Sequence, residues 1–292
     1  MDKRFADGRE FLRREGRLLE RRLFATCFEG APGGRVVDVL RGYANDDGGF
    51  GHALEPDKRC PASLPLDVEV ALQAMATAGV VDLPLARGAA DFLARVASDV
   101  DAGGAVPLAD PVIEGYPRAD HMTEWTYAPS LNPTAGLVGL LHRLGVEHPW
   151  VTTAAAWCWA RLDEDLPTDA HALREILVFL EHGTERDRAT AAAAKVRAAL
   201  DTASHFNLDP DAPEYGVTPL GLASSAESPW RALFDEDVIQ GHLDRMERDQ
   251  QDDGGWPITW EPPGQAAVLE WRGIVTLENL RTLVSYGRLE AP

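Results

Sequence analysis

The chain writes one short phrase twice. Asn45-Asp46-Asp47-Gly48-Gly49-Phe50 and Gln251-Asp252-Asp253-Gly254-Gly255-Trp256 share two acidic residues, paired glycines and an aromatic, and Asp101-Ala102-Gly103-Gly104-Ala105 is a worn third copy. A phrase that recurs at a fixed period marks a fold built by stacking one supersecondary unit. Gly48 and Gly103 lie 55 positions apart and Gly48 and Gly254 lie 206 apart, so a unit of about 51 residues, a helix, a loop and a second helix, covers the span in four steps.

Each phrase follows an apolar-periodic segment, where a helix must end and turn. Paired glycines supply the positive φ of a C-terminal cap. The aromatic can pack over the turn, Gln251 can bond helix-end groups that lack partners, and aspartates can accept from turn N–H groups. Asp46, Asp47, Asp252 and Asp253 therefore read as parts of a staple between neighbouring helical hairpins rather than as catalytic acids.

Between the turns two kinds of helix alternate. LFDEDVIQGHLDRMERDQ sets Phe234, Val238, Ile239, Leu243 and Met246 on one stripe with charge opposite, whereas LPLDVEVALQAMATAG and LNPTAGLVGLLHRLG are apolar nearly all round. One kind faces water on one side and the other must be covered on every side. The pattern predicts an all-α chain with outer helices near 35–45, 86–98, 150–162, 186–201 and 234–250. Inner helices fall near 8–27, 64–78, 131–144, 169–182, 216–224 and 270–286, the fifth being the weakest. The expected architecture is one α/α toroid over residues 1–292, of five to six hairpins around a central cavity, with residues 1–30 closing the ring.

Composition narrows the partners. With 47 acidic against 28 basic residues the formal charge is -19, which repels nucleic acid and anionic lipid alike. The opening residues hold no long apolar run, so neither a signal peptide nor a membrane anchor is expected. Cys27, Cys60 and Cys158 form no C-x-x-C pair, which fits a reducing, cytoplasmic compartment.

An outer helix ending in Gln, a short acidic stretch, Gly-Gly and Trp resembles the QW-type repeat of the terpenoid cyclases and the protein prenyltransferase β subunits, most closely in DQQDDGGW and next in NDDGGFG. The resemblance implies an α/α toroid with an apolar pocket. The chemistry of those families is not written here. D-x-D-D is absent, and Asp163-Glu164-Asp165 and Asp235-Glu236-Asp237 read as solvated charge. There is no D-x-C zinc motif, since Asp57 and Cys60 are wrongly spaced, no Asp-rich magnesium motif, and no Cys-His pair of the lanthionine cyclase kind. No metal or other cofactor is expected.

Candidate site residues then come from three long loops ahead of inner helices. The first brings His52, Glu55, Asp57, Asp67 and Glu69 together. The helix dipole would hold Asp67 and Glu69 as anions, which suits capping better than acid catalysis, while Glu55 and Asp57 stand as acid/base candidates beside Asp67. The second offers Tyr116, His121, Glu124, Trp125 and Asn132. His121 and Glu124 could pair as acid and base, and Asn132 before Pro133 fits an N-cap. The third holds Trp256, Trp260, Glu270, Trp271 and Arg272, either a wall for a cation or sugar or, for Glu270 and Arg272, a structural ion pair. Glu55, Asp57, Asp67, Glu124 and Glu270 are the catalytic candidates, and the remainder are candidates for substrate binding.

Three functions are open on these grounds. One is an enzyme acting on an isoprenoid or other small hydrophobic molecule with a carboxylate acid or base. Another is a non-catalytic ligand cup or scaffold, monomeric or half of a heterodimer. The third is a carbohydrate-active α/α barrel with paired carboxylates.

Overall fold

The computed structural model describes residues 2–183 and 185–291. Among the described residues the regular elements are all helical, and extended pairing is limited to three isolated bridges. The helices are α1 (Lys3–Glu15), α2 (Leu18–Phe28), α3 (Gly34–Leu40), α4 (Pro65–Thr77), α5 (Leu83–Asp99), α6 (Leu131–Arg143), α7 (Pro149–Glu164), α8 (Ala170–His182), α9 (Arg186–Leu200), α10 (Pro219–Leu222), α11 (Glu236–Arg248) and α12 (Gln265–Ser285). The chain forms two compact units: Val36–Ala203 is continuous, and a terminal unit joins Met1–Arg35 to Ser204–Pro292.

In the continuous unit α6 packs against α4 and α8, with α5 on α7, α7 on α6 and α9 on α8. The mostly covered helices α4, α6 and α8 thus pack together, α4 and α8 on α6, and α5, α7 and α9 pack against them or one another. From Leu131 to Leu141 every α6 residue except Asn132 is buried. Glycine sets the spacing of α6 and α8, because a Cβ on Gly139 would lie 2.5 Å from the Val178 carbonyl oxygen.

In the terminal unit α1 and α2 pack on α12, and α10 on α11. The single helix expected over 8–27 is two. The chain breaks at Gly16, which is extended at φ -65° and ψ 148°, where a Cβ on Gly273 of α12 would come 3.2 Å from Gly16 Cα. Close approach of two backbones interrupts the helix, a long-range cause that α1 and α2 do not carry in their own periodicity. The weak element near 216–224 is one turn, Pro219–Leu222.

The repeated phrases fold alike. Asn45 N–H donates to Gly49 O at 3.0 Å and Gln251 N–H to Gly255 O at 2.9 Å. Gly49 N–H donates to Asp47 Oδ1 at 2.9 Å and Gly255 N–H to Asp253 Oδ1 at 3.0 Å. Gly48 (φ 85°) and Gly254 (φ 91°) take the left-handed conformation, and each presses on another helix. A Cβ on Gly48 would lie 2.6 Å from Gly88 O of α5, and one on Gly254 would lie 2.2 Å from Asp7 O of α1. In the third copy Gly104 (φ 103°) fills this place, with Ala154 N of α7 at 3.1 Å, so Gly104 and not Gly103 aligns with Gly48. A second correspondence agrees: Val106 N–H donates to Thr134 Oγ1 at 3.0 Å, as Trp256 N–H does to Thr276 Oγ1 at 3.1 Å.

The glutamine assignment also moves by one. Gln250 Nε2 donates to Gly254 O and to Arg4 O of α1, each at 2.9 Å, whereas Gln251 Oε1 accepts from Arg272 at 2.7 Å.

Candidate active site

The first candidate loop doubles back before α4. Gly51 permits it, since a Cβ there would lie 2.3 Å from Ala62 O, and His52 and Ala53 take positive φ of 58° and 59°. The fold returns Glu55 to the start of α4, where its N–H donates to Asp67 Oδ1 at 2.8 Å. Asp67 thus serves the incoming loop, beyond any role in capping its own helix.

Lys58 is fully buried between two of the predicted acids. Its Nζ lies 2.9 Å from Glu55 Oε2 and 3.0 Å from Asp67 Oδ2. Burial disfavours the ammonium, yet Asp67 and Glu55 outweigh it and hold the Lys58 pKa above its ordinary value. Burial raises the Glu55 pKa, Lys58 opposes that rise, and nearby Asp57 and Asp67 add to it. Lys58 belongs to a closed ion triad, so it is no nucleophile.

Asp57 reaches the second loop. His121 Nε2 lies 3.1 Å from Asp57 Oδ2, and the His121 side chain stays 48% exposed. The hydrogen bond to Asp57 raises the His121 pKa against the opposing effect of burial. Backbone bonds join the same loops, Ala119 N–H to Asp57 O at 2.7 Å and Arg59 N–H to Pro117 O at 2.9 Å. Beneath them Cys60, Leu64, Ala109, Ile113 and Met122 form an apolar cluster. The expected partner of His121, Glu124, is exposed instead.

The strongest arrangement lies one turn along α4. A Cβ on Gly136 of α6 would meet Glu175 Oε2 of α8 at 1.8 Å and Glu69 Oε1 of α4 at 3.3 Å. Three helices therefore converge on a glycine-made space that two carboxyl groups share. Burial, then the charge and hydrogen bond of Glu175, push the Glu69 pKa well above the ordinary carboxyl range. Two carboxyl groups in contact repel when both are ionised, which favours a proton shared between them. Glu175 is buried, and its Oε1 accepts from Arg174 Nε at 3.0 Å and lies 2.9 Å from Arg174 Nη2. Glu69 as a whole residue is half-buried, while burial is the largest influence on its carboxyl.

The other predicted residues are placed as follows. His52 is exposed and its Nε2 lies 2.9 Å from Asn45 Oδ1 of the first turn. Tyr116 is exposed, and Trp125, 58% exposed, donates from Nε1 to His121 O at 2.8 Å. Asn132 is extended (φ -103°, ψ 107°) ahead of the helical run of α6, and its carbonyl accepts from Ser130 Oγ at 2.5 Å.

The third loop lies in the terminal unit. Trp256 is buried, with Nε1 donating to Met246 O at 2.7 Å, so it closes α11 rather than lining a surface. Arg272 binds the turn, reaching Asp253 Oδ1 and Oδ2 at 2.8 Å each, and it covers the Phe11 ring at 4.6 Å. Its hydrogen bonds lower the Asp253 pKa. Trp260 sits edge to face between Tyr215 (5.5 Å) and Trp271 (5.0 Å). Glu270 is half-buried on α12.

Lys58, Arg174, Glu175 and Gly136 were not among the sequence candidates, and Glu69 was read as a cap. The available signal was Glu175 itself, a lone acid in the apolar run Leu173–Leu180 of a helix that must be covered all round.

The chain is similar to the crystal structure of a protein from Actinoplanes, with a TM-score of 0.58 and 19% identity over 96% of this chain and 98% of that one. At that identity the likeness shows the fold alone. No family model matches the chain, and no curated protein does.

Proposed function

We propose that the chain is an α/α toroid enzyme of terpenoid-cyclase-like architecture that performs acid/base chemistry on a small, largely apolar molecule. Glu69 is its proton donor and acceptor, and Glu175 is the fixed anion beside it. The observation that carries this is the meeting of the two carboxyl groups over Gly136. An acid whose pKa is raised well above the ordinary carboxyl range, beside a second carboxyl, is matched to proton transfer.

The surroundings favour an apolar guest. Leu66, one turn before Glu69 on α4, is half-buried like it. The helix packing and the stapled turns support the toroid. The carbohydrate reading loses ground, because glycosidase carboxyls stand about 5–9.5 Å apart to admit sugar and water, whereas these two touch.

The test is to offer purified protein a panel of linear polyprenes, prenyl alcohols, prenyl diphosphates and terpenoid ketones. Conversion of at least one member is expected, with Glu69→Gln losing turnover while keeping binding. Neither turnover nor saturable binding across the panel would overturn the proposal.

A further inference from the structure

The carboxyl pair is chemically symmetric but its surroundings are not. Glu69 comes from α4, faces Glu175 across the Gly136 gap, and has the Glu55 carboxyl beyond it. Glu55 is itself engaged by Lys58. Glu175 comes from α8 and spends its second oxygen on Arg174, whose Nε and Nη2 both reach Oε1, at 3.0 and 2.9 Å. A guanidinium donates only, so the oxygen it holds cannot carry the proton. The remaining oxygen, Oε2, points at the space shared with Glu69, and the cation on Oε1 favours the ionised form of Glu175, in which Oε2 accepts.

We propose that Arg174 is a positioning residue: by binding Glu175 Oε1 with two donors it fixes Glu175 as the anion and assigns the shared proton to Glu69. This rests on reading Glu69 as the acid of the site, and it adds the reason why the acid is Glu69 rather than Glu175. Arg174 touches neither the proton nor a substrate. It acts through Glu175, and its side chain, 45% exposed, is replaceable without opening the core.

The charged groups around the pair are Arg174 and Glu175 on α8, Glu69 on α4, and Glu55 with its Lys58 partner in the preceding loop. The α6 residues at the contact, Gly136 and its neighbours Ala135 and Leu137, add no charge. Arg174 is therefore the one cation held directly by either member of the pair among the described residues.

The experiment uses the full chain labelled with carboxyl-13C glutamate, followed by NMR from pH 4 to pH 9, with signals assigned by Glu69→Gln and Glu175→Gln. In the unsubstituted protein at pH 7 Glu69 should resonate at the protonated position and Glu175 at the ionised one. In Arg174→Gln the proton should be divided between the two, so that their separation falls by about half or more. Arg174→Lys, which keeps the charge and loses the fork, should restore only part of it. Two ionised signals at pH 7 in the unsubstituted protein would overturn the proposal, and so would an Arg174→Gln spectrum whose pair keeps its separation and titration. No substrate enters this measurement, so an inactive protein with the expected spectra would sink the enzyme reading and leave the role of Arg174 standing.

Discussion

Single residues decide the electrostatics of the continuous unit, and Lys58 most of all. It is completely buried with Glu55 and Asp67 on its Nζ. Removing one partner of a buried ion pair strands the other, at about 3–5 kcal/mol. Lys58→Met should lower urea stability by that order at pH 7, and by less at pH 4, where Glu55 takes up a proton. An equal loss at both pH values would mean that the triad is not what holds the loop. Glu69 gives a second prediction. Its folded pKa lies above the unfolded value near 4.5, so the folded state binds the extra proton. Its contribution is complete below that unfolded value and is lost as pH rises through the raised folded one. Glu69→Gln removes this slope, so its melting temperature should gain on the unsubstituted protein between pH 5 and pH 8. Parallel curves would show that Glu69 titrates normally. That Glu55 and Asp67 meet at the start of α4 is legible in the sequence, because a charged loop ahead of a buried helix is conspicuous. Glu69 is visible in the sequence as an acid near a helix start, where capping and a role in a site are both open. Its partner Glu175 lies on a different helix and meets it only because Gly136 on a third leaves room, a coincidence no local pattern encodes.

At the scale of elements, the turns are the parts most plainly written in the chain. Two acids, two glycines and an aromatic specify one backbone path, and the path recurs with the same donors and acceptors. What the phrase does not specify is what it leans on, and here neighbouring helices dictate the glycine. Gly254 meets Asp7 O of α1 and Gly48 meets Gly88 O of α5, both at positive φ. Ala at either position meets a backbone clash and a strained φ together, for about 2–4 kcal/mol. Gly30, equally at positive φ but with nothing within 4 Å of its Cβ, should cost about 1 kcal/mol as Ala. Urea denaturation of the three variants tests this. Equal losses would remove the packing contribution and leave only the conformational one. Helix positions were largely legible from periodicity, which α4, α6, α8 and α11 obey. The break at Gly16 was not, because its cause, Gly273, is supplied by α12.

At the scale of the molecule the excess of acid governs behaviour. A net charge of -19 strains any compact state by self-repulsion. Raising sodium chloride from about 20 mM to about 300 mM shortens the screening length and should raise the melting temperature by a few degrees at pH 8. A flat or falling response would mean that the ion pairs at Arg272, Arg288 and Arg245 matter more than the general repulsion. That the chain is helical could be read from residue spacing. Its partition into a continuous unit and one drawn from both ends could not, because periodicity says which face of a helix is covered and never by what.

That partition has a consequence for how the chain is made. α1 and α2 leave the ribosome carrying Phe5, Phe11, Leu12, Leu19 and Phe24, all of them buried in the finished protein. Leu277, Leu280 and Leu283 of α12 are translated some 250 codons later. Meanwhile the continuous unit, drawn from one uninterrupted stretch of chain, is complete in sequence long before α12 is made. The nascent chain therefore holds an exposed greasy segment ahead of that unit for most of its synthesis, the circumstance in which holdase chaperones bind and in which a pause late in the message is most dangerous.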